Sequence, residues 1–517
     1  MAAPLPEDLQ KLKWYGDFPV MRRMIEKRLN TDLPAALKER LRAELEIISR
    51  LPRQYPYAWE EALEMMKQQF TGVSREEFQE LWEAGAMDWI YIQGKVYFKD
   101  NFISNLIKTR EYLAKRLVSP ELNAGKWENA GFLDRTIAYM KRYGKISCRF
   151  HMTTTLGICK EAQREGERIK VYLPIPVEYA QIKHFQLLGA SLIGEDGEIV
   201  SVPVFRRPQI FYHEVFEQEA GSEDNKETNK ENDRNTAGDS AGETMKAWIA
   251  PQHAEQRTIC FCGIYRRGFR FQIEYEYQVD MPYVDLTNEE AAGSIKKKNA
   301  ALWEIREEED RPVHYLGEQL PHLRFTPYLK ALAAEITGEE KAPFKKAKKI
   351  YDYITSHMMY SFVREYFTIT ELTDYAASSW KGDCGIQALL FILLCRISGI
   401  PARWQSGLYT RPGDVGSHDW AMFYVEPYGW LFADCSFGGS AGRMGDEERR
   451  EFYFGNLDPY RMPSCCQFQA DFCPPFHGMR IDPYDNQTGE AEYADRSLGA
   501  DEIETVHEVI SSSNLPI

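Results

Sequence analysis

A chain of 517 residues, 44% hydrophobic and 13% aromatic, is long enough for about three or four domains and rich enough to pack their cores. Its formal charge of −15, with no basic stripe to interrupt it, argues against a nucleic-acid partner. No run approaches the ~18 apolar residues of a membrane span, and MAAPLPEDLQKLKWYGDF lacks the basic-then-apolar order of an export signal. The expectation is a cytoplasmic protein without a membrane partner, its ten cysteines reduced.

Residues 1–130 are expected to form a helical accessory domain. ALKERLRAELEIISRL (36–51) and REYLAKRLVSP (110–120) carry apolar residues at helical spacing. SREEFQELWEAG (74–85) opens with Ser74 and Glu77 in capping-box order and stops at Gly85. MDWIYIQGKVYFKDNF then reads as a hairpin turning at Gln93-Gly94.

From 145 to 290 the rhythm becomes two. RIKVYLPIPV (168–177), EIVSVPVF (198–205), TICFCGIYRR (258–267) and FRFQIEYEYQV (269–279) predict a β-sandwich. The polar stretch 217–243 has no aliphatic side chain beyond alanine and no aromatic one, and is expected to be a disordered insertion. Cys260 and Cys262 fall on one face of their strand and read as packing.

Residues 300–480 predict a third region, with an amphipathic helix over 343–358, and 481–517 a polar tail wrapping the surface. In KGDCGIQALLFILLCRISGIPAR (381–403), Cys384 stands at the mouth of a helix apolar almost all round, which makes that helix central and buried. A first-turn position favours thiolate over thiol, and the free N–H groups there could hold an oxyanion. The neighbouring Asp383 would oppose ionisation unless it turns away to cap the helix. Aromatic strands follow in ARWQSGLY, HDWAMFYVEP and GWLFADCSF. His418, 34 residues after Cys384 and at the start of its strand, could face the sulfur. Asp434, 16 residues further on, could fix the imidazole tautomer if the two strands pair.

Taken together, GDC (382–384), the apolar helix, GIPAR (399–403), HDW (418–420) and WLFAD (430–434) resemble the transglutaminase-like superfamily of papain-like thiol enzymes, in its bacterial-type members, over roughly residues 300–460. The resemblance implies an α+β chain: a papain-like transglutaminase core preceded by the β-sandwich and the helical N-terminal domain. It implies Cys384 as nucleophile, His418 as base and then acid, and Asp434 as the orienting carboxylate. It implies a second oxyanion donor upstream of the cysteine, for which Tyr360 and Trp380 are the candidates, Tyr360 preferred. Trp420 is a candidate for lining a peptide groove.

Two positions depart from the family pattern. Met422 stands where many members have an acidic residue, and Cys435-Ser436 follows the aspartate in place of Pro-Thr. No calcium site is carried over, and no cofactor is expected. Cys465, Cys466, Cys473 and His477 lack the spacing of a zinc site, so no metal is expected either. Cys395 and Cys435 read as core. The expected function is a cysteine hydrolase or acyltransferase acting on a protein or peptide substrate through an acyl-thioester, hydrolysis or deamidation ranking above transglutaminase-type transfer to amines. The alternative is a catalytically idle papain-like scaffold for protein binding.

Overall fold

The computed structural model describes residues 4–119, 125–206, 244–252, 254–286, 311–482 and 484–513, with the side chains of 125–130 left aside. The expected insertion 217–243 lies outside the described residues. Among them, no helix is long and apolar enough to cross a membrane.

The N-terminal region is helical, and the local signals explain where its helices stop. Ser74 accepts from the backbone N–H of Glu77 (3.1 Å) and starts the helix Arg75–Glu83. The hairpin Trp89–Ile92 and Lys95–Phe98 turns at Gln93 and Gly94, both at positive φ (50° and 73°). Tyr57–Ala58 extends it to three strands. The apolar spacing of 110–120 yields only the short helix Glu111–Ala114.

Two five-stranded sheets make the sandwich. Lys145–Ile158 and Arg270–Pro282 pair over their length with alternating burial, the signature of a sheet with one face on a core. The expected strand 198–205 is split. Ile199–Ser201 joins one sheet and Val204–Phe205 the other, and the break falls at Pro203, which has no N–H to give a ladder. Cys260 and Cys262 are buried with Tyr172, Trp248 and Phe472, as packing.

The 481–517 segment does not simply wrap the surface. Glu490–Tyr493 pairs with Arg168–Pro174 in one sheet, and Ile503–Ser513 pairs with Lys145–Ile158 in the other. The polar composition hid this because Asp485, Asn486, Glu490 and Glu492 are themselves buried. Arg480, for one, donates to Glu490 Oε1 (3.0 Å).

The third region has its own five-stranded sheet, in the order Phe454–Gly455, Gly429–Ala433, Asp414–Val425, Ala402–Arg411, Arg461–Cys465. The helix Cys384–Ile397 lies against it, buried from Gly385 to Arg396 as its uniformly apolar surface requires. One hydrophobic core runs continuously through the sandwich and this region. Arg403 of GIPAR sits at their junction, donating to Tyr179 Oη (2.9 Å) and to the Cys466 carbonyl (2.9 Å).

Candidate active site

Cys384 is the first residue of its helix. Asp383 is the N-cap and accepts from the Ile386 N–H (3.1 Å), and it also accepts from the Tyr366 hydroxyl. Gly385 is a packing requirement: a Cβ there would lie 2.3 Å from Tyr366 Oη and 2.8 Å from Asp419 Oδ2. The glycine after the cysteine thus lets a tyrosine and a carboxyl close around the sulfur.

His418 is not at a strand start. The hairpin turns at Pro412-Gly413, and His418 sits inside the strand Asp414–Val425, opposite Gly407. Its Nε2 is 2.7 Å from Asp434 Oδ2. Asp434 ends the neighbouring strand and caps the helix Cys435–Arg443, its Oδ1 accepting from the Phe437 N–H (3.0 Å) and the Ser436 hydroxyl (3.2 Å). Arg461, fully buried, donates to Asp434 Oδ2 (2.9 Å) and to Asp458 Oδ1 (3.2 Å). Burial alone would push the Asp434 carboxyl up, but His418 and Arg461 outweigh it and hold it well below the usual carboxylate range. Burial lowers the His418 pKa against the pull of Asp434, so the ring is held neutral. With Nε2 given to the carboxylate, Nδ1 is the nitrogen available to a thiol.

The thiol itself departs from expectation. Its hydrogen bond goes to Asp419 Oδ2 (3.2 Å), and among the described residues no hydrogen bond joins it to His418. Its pKa is raised well above the ordinary thiol value, by burial first and then by the carboxyls of Asp419 and Asp383. With the sulfur donating to Asp419, the resting group is a thiol and not a thiolate. Asp419 is pushed up to about 8, by burial first and then by Asp383. The sequence signal for it was the middle letter of HDW, read only for its flanks. Gln487, far along the chain, donates to Asp419 Oδ1 (2.5 Å) and to the His418 carbonyl (3.0 Å), and nothing local in the sequence announced that contact.

Tyr360 comes beside the site. Met359–Tyr360 pairs in parallel with Lys381–Gly382, and burial followed by the nearby Cys384 thiol pushes the Tyr360 hydroxyl pKa up. Trp380 does not join it. Its ring packs edge-on against Tyr353 (5.3 Å between centres) in a cluster with His357. Trp420 is fully buried, donates from Nε1 to Gln405 Oε1 (2.8 Å) and stacks with the His418 ring (5.9 Å). It supports the imidazole from beneath and cannot line a peptide groove. Cys435 is core, but as the first residue of a helix rather than by strand alternation. Cys465 bonds the Gln467 carbonyl (2.9 Å) and His477 lies 3.2 Å from Glu492, so these two residues serve separate contacts.

Residues 330–435 match the model of the transglutaminase-like superfamily. No curated protein matches the chain. Among solved structures, it is similar to a candidate cysteine protease from Cytophaga hutchinsonii, at 12% identity over 71% of this chain and 91% of that one, with a TM-score of 0.38. It is similar to a candidate protease from Parabacteroides distasonis, at 9% identity over 55% of this chain and 63% of that one (TM-score 0.18). It is also similar to the periplasmic domain of TgpA from Pseudomonas aeruginosa, at 12% identity over 57% of this chain and 97% of that one (TM-score 0.23). The family match spans the cysteine helix, the histidine strand and the aspartate, and the chain carries a transglutaminase-like core of the α+β class.

Proposed function

We propose that the protein is a thiol-dependent amide-bond enzyme in which Cys384 is the nucleophile, His418 the base and then the acid, and Asp434 the group that fixes the imidazole. The observation that carries this reading is the buried His418–Asp434 pair at 2.7 Å, bonded through Nε2 and backed by Arg461. Because the resting sulfur is a thiol, His418 Nδ1 removes its proton as the sulfur adds to the carbonyl. This is general-base activation, and no standing ion pair is needed. The imidazolium then protonates the leaving amine, the amide C–N bond breaks, and an acyl-thioester remains. Tyr360 Oη and the N–H groups at the start of the cysteine helix are the donors for the oxyanion. Water resolves the thioester, making the reaction hydrolysis or deamidation of a protein or peptide. A cytoplasmic setting belongs to the same reading and is supported by the sparse cysteine usage, ten in 517 residues.

A second reading, a binding module built on an idle core, is favoured by one contact, the Asp419 carboxyl bonded to the sulfur. A screen of ammonia release, peptide cleavage and amine incorporation separates the two. Hydrolytic turnover is expected, and it should vanish in Cys384→Ala. Activity that survives that substitution removes the nucleophile from the reading, and amine incorporation as the main product makes the enzyme a transferase.

A further inference from the structure

Four segments of the N-terminal region frame a cleft whose lining shares no residue with the candidate active site. The Gln93 N–H donates to the Gly16 carbonyl (3.1 Å) and the Gly94 N–H to the Tyr15 carbonyl (2.9 Å), which fixes the hairpin tip to the turn between the helices Glu7–Tyr15 and Phe18–Leu29. Glycine is required at that seam: Gly16 has φ 77°, and a Cβ there would lie 1.9 Å from the Tyr91 carbonyl oxygen. The cleft holds about 400 Å³, toward the small end of ligand cavities, which run to ~300–1,000 Å³. Phe18, Pro19 and Ile92, with Pro52 from the helix Ala35–Gln54, supply its apolar lining. Arg22 and Arg23 follow Phe18 and Pro19 by one helical turn and line the same space. Both arginines are exposed, and neither makes a hydrogen bond or an ion pair among the described residues. Cations around them are matched, Lys11 with Glu7 (2.7 Å), Lys13 with Glu44 (2.8 Å) and Arg28 with Asp8. The lining holds no carboxylate, and Asp17, the nearest in sequence, is spent on capping its helix through the Val20 N–H (3.2 Å). In a chain of formal charge −15, two adjacent guanidiniums without a counterion beside an apolar surface point to an anion from outside.

We infer that this cleft is a receptor for the C-terminal residue of a peptide, with the α-carboxylate held by Arg22 and Arg23 and an apolar side chain set against Phe18, Pro19, Pro52 and Ile92. The lining selects among anions. An aspartate or glutamate side chain brings a carboxylate with no apolar body, and inorganic phosphate brings neither an apolar body nor an amide. A chain terminus carries its carboxylate and its side chain on one carbon, which suits a cleft whose cationic and apolar contacts lie one helical turn, about 5.4 Å, apart. The primary amide of Gln93 both donates and accepts, and so matches the peptide unit that precedes the terminus. The volume admits one large residue and not a longer segment, so recognition rests on the last residue of the partner chain. None of this depends on the chemistry of Cys384.

The test uses the full chain carrying Cys384→Ala, so that no turnover enters the reading, and the fluorescence anisotropy of Gly-Ser-Gly-Ser-Phe labelled with fluorescein at its N-terminus. The free acid is expected to bind at least about tenfold more tightly than its C-terminal amide, because only the acid offers charge-assisted bonds to the guanidiniums. Replacing the terminal Phe by Gly should cost about tenfold or more, through the lost apolar burial. Arg22→Gln and Arg23→Gln should each weaken the free acid about tenfold and leave the amide unchanged. Their Tm should stay at that of the parent protein, since neither side chain has a partner to lose. Equal affinity for acid and amide, an affinity indifferent to both arginine variants, or no binding up to about 1 mM peptide overturns the receptor. So does displacement of the labelled peptide by acetate as readily as by N-acetylphenylalanine, which would make the cleft a site for any carboxylate. Peptide cleavage by the unsubstituted protein is measured apart from these readings and bears only on the thiol-hydrolase proposal.

Discussion

Asp434 meets four donors with two oxygens: His418 and Arg461 on one, Phe437 N–H and Ser436 on the other. An amide in its place turns an NH₂ group toward at least one of them. Asp434→Asn is therefore expected to favour the wrong imidazole tautomer and lower kcat by about 10³–10⁴-fold. Leaving Arg461 with its charge less well paired should also cost about 3–5 kcal/mol of stability. Steady-state kinetics and urea unfolding read the two effects separately. The neighbouring carboxyl acts in the opposite sense. Because the ionised Asp419 carboxylate raises the thiol pKa, Asp419→Asn should speed iodoacetamide labelling of Cys384 by about tenfold at pH 9, above the Asp419 pKa of about 8, and change it little at pH 6. An unchanged rate at pH 9 would mean that burial alone sets the thiol. At this scale the place of Cys384 at the head of its helix, the contact of His418 with Asp434 and the capping role of Asp383 were legible, because each is announced by a short motif. The thiol's ionisation state was not legible. It depends on burial and on Asp419, which is itself held by a loop about a hundred residues away.

The segment between the helix Pro343–His357 and the cysteine helix is held from outside the core. Asn105 brackets Phe362, its Oδ1 accepting from the Phe362 N–H (2.6 Å) and its Nδ2 donating to the Phe362 carbonyl (3.0 Å). Lys108 lies over the rings of Phe362 and Tyr360. The N-terminal helices thereby hold the segment that carries Tyr360. His322 ties a second junction. The Leu372 N–H donates to Nδ1 (3.3 Å), so the proton of the neutral ring is on Nε2, which donates to Tyr484 Oη (2.7 Å). An imidazolium would set N–H against N–H at Nδ1, and burial, the main cause, lowers this pKa to about 4. A folded pKa below the unfolded value of about 6.5 means stability present above that pH and lost as pH falls through 4, up to about 3 kcal/mol. His322→Phe, which keeps the ring but cannot titrate, should lose less stability than the wild type between pH 7 and 4, as read by Tm. Strand alternation found most of the sandwich. It failed where Pro203 divides one apparent strand between two sheets, and after Asp434, where a capping carboxylate starts a helix that CSF does not announce.

Over the whole molecule, the expected modules are less separate than their composition suggests. The sandwich and the transglutaminase-like core share one hydrophobic interior, and the C-terminal strands belong to the sandwich. Truncation after residue 488 removes one strand from each sheet and the closure of Lys145–Ile158. It is expected to abolish cooperative unfolding of the sandwich and core together, by denaturant titration with fluorescence and far-UV circular dichroism. A remaining core that still unfolds cooperatively would show the two to be independent. The tail was misread because its pattern is polar, and only the tertiary partners of its carboxylates explain their burial.

The pairing of Ile503–Ser513 with Lys145–Ile158 also sets a clock on biosynthesis. Lys145–Ile158 precedes the cysteine helix and the histidine strand in the chain and its partner follows them, so the edge between the two stays open while that helix and strand are synthesised. The nascent chain must carry an unpaired β-edge until Ile503–Ser513 has left the ribosome, and the sandwich can close only then.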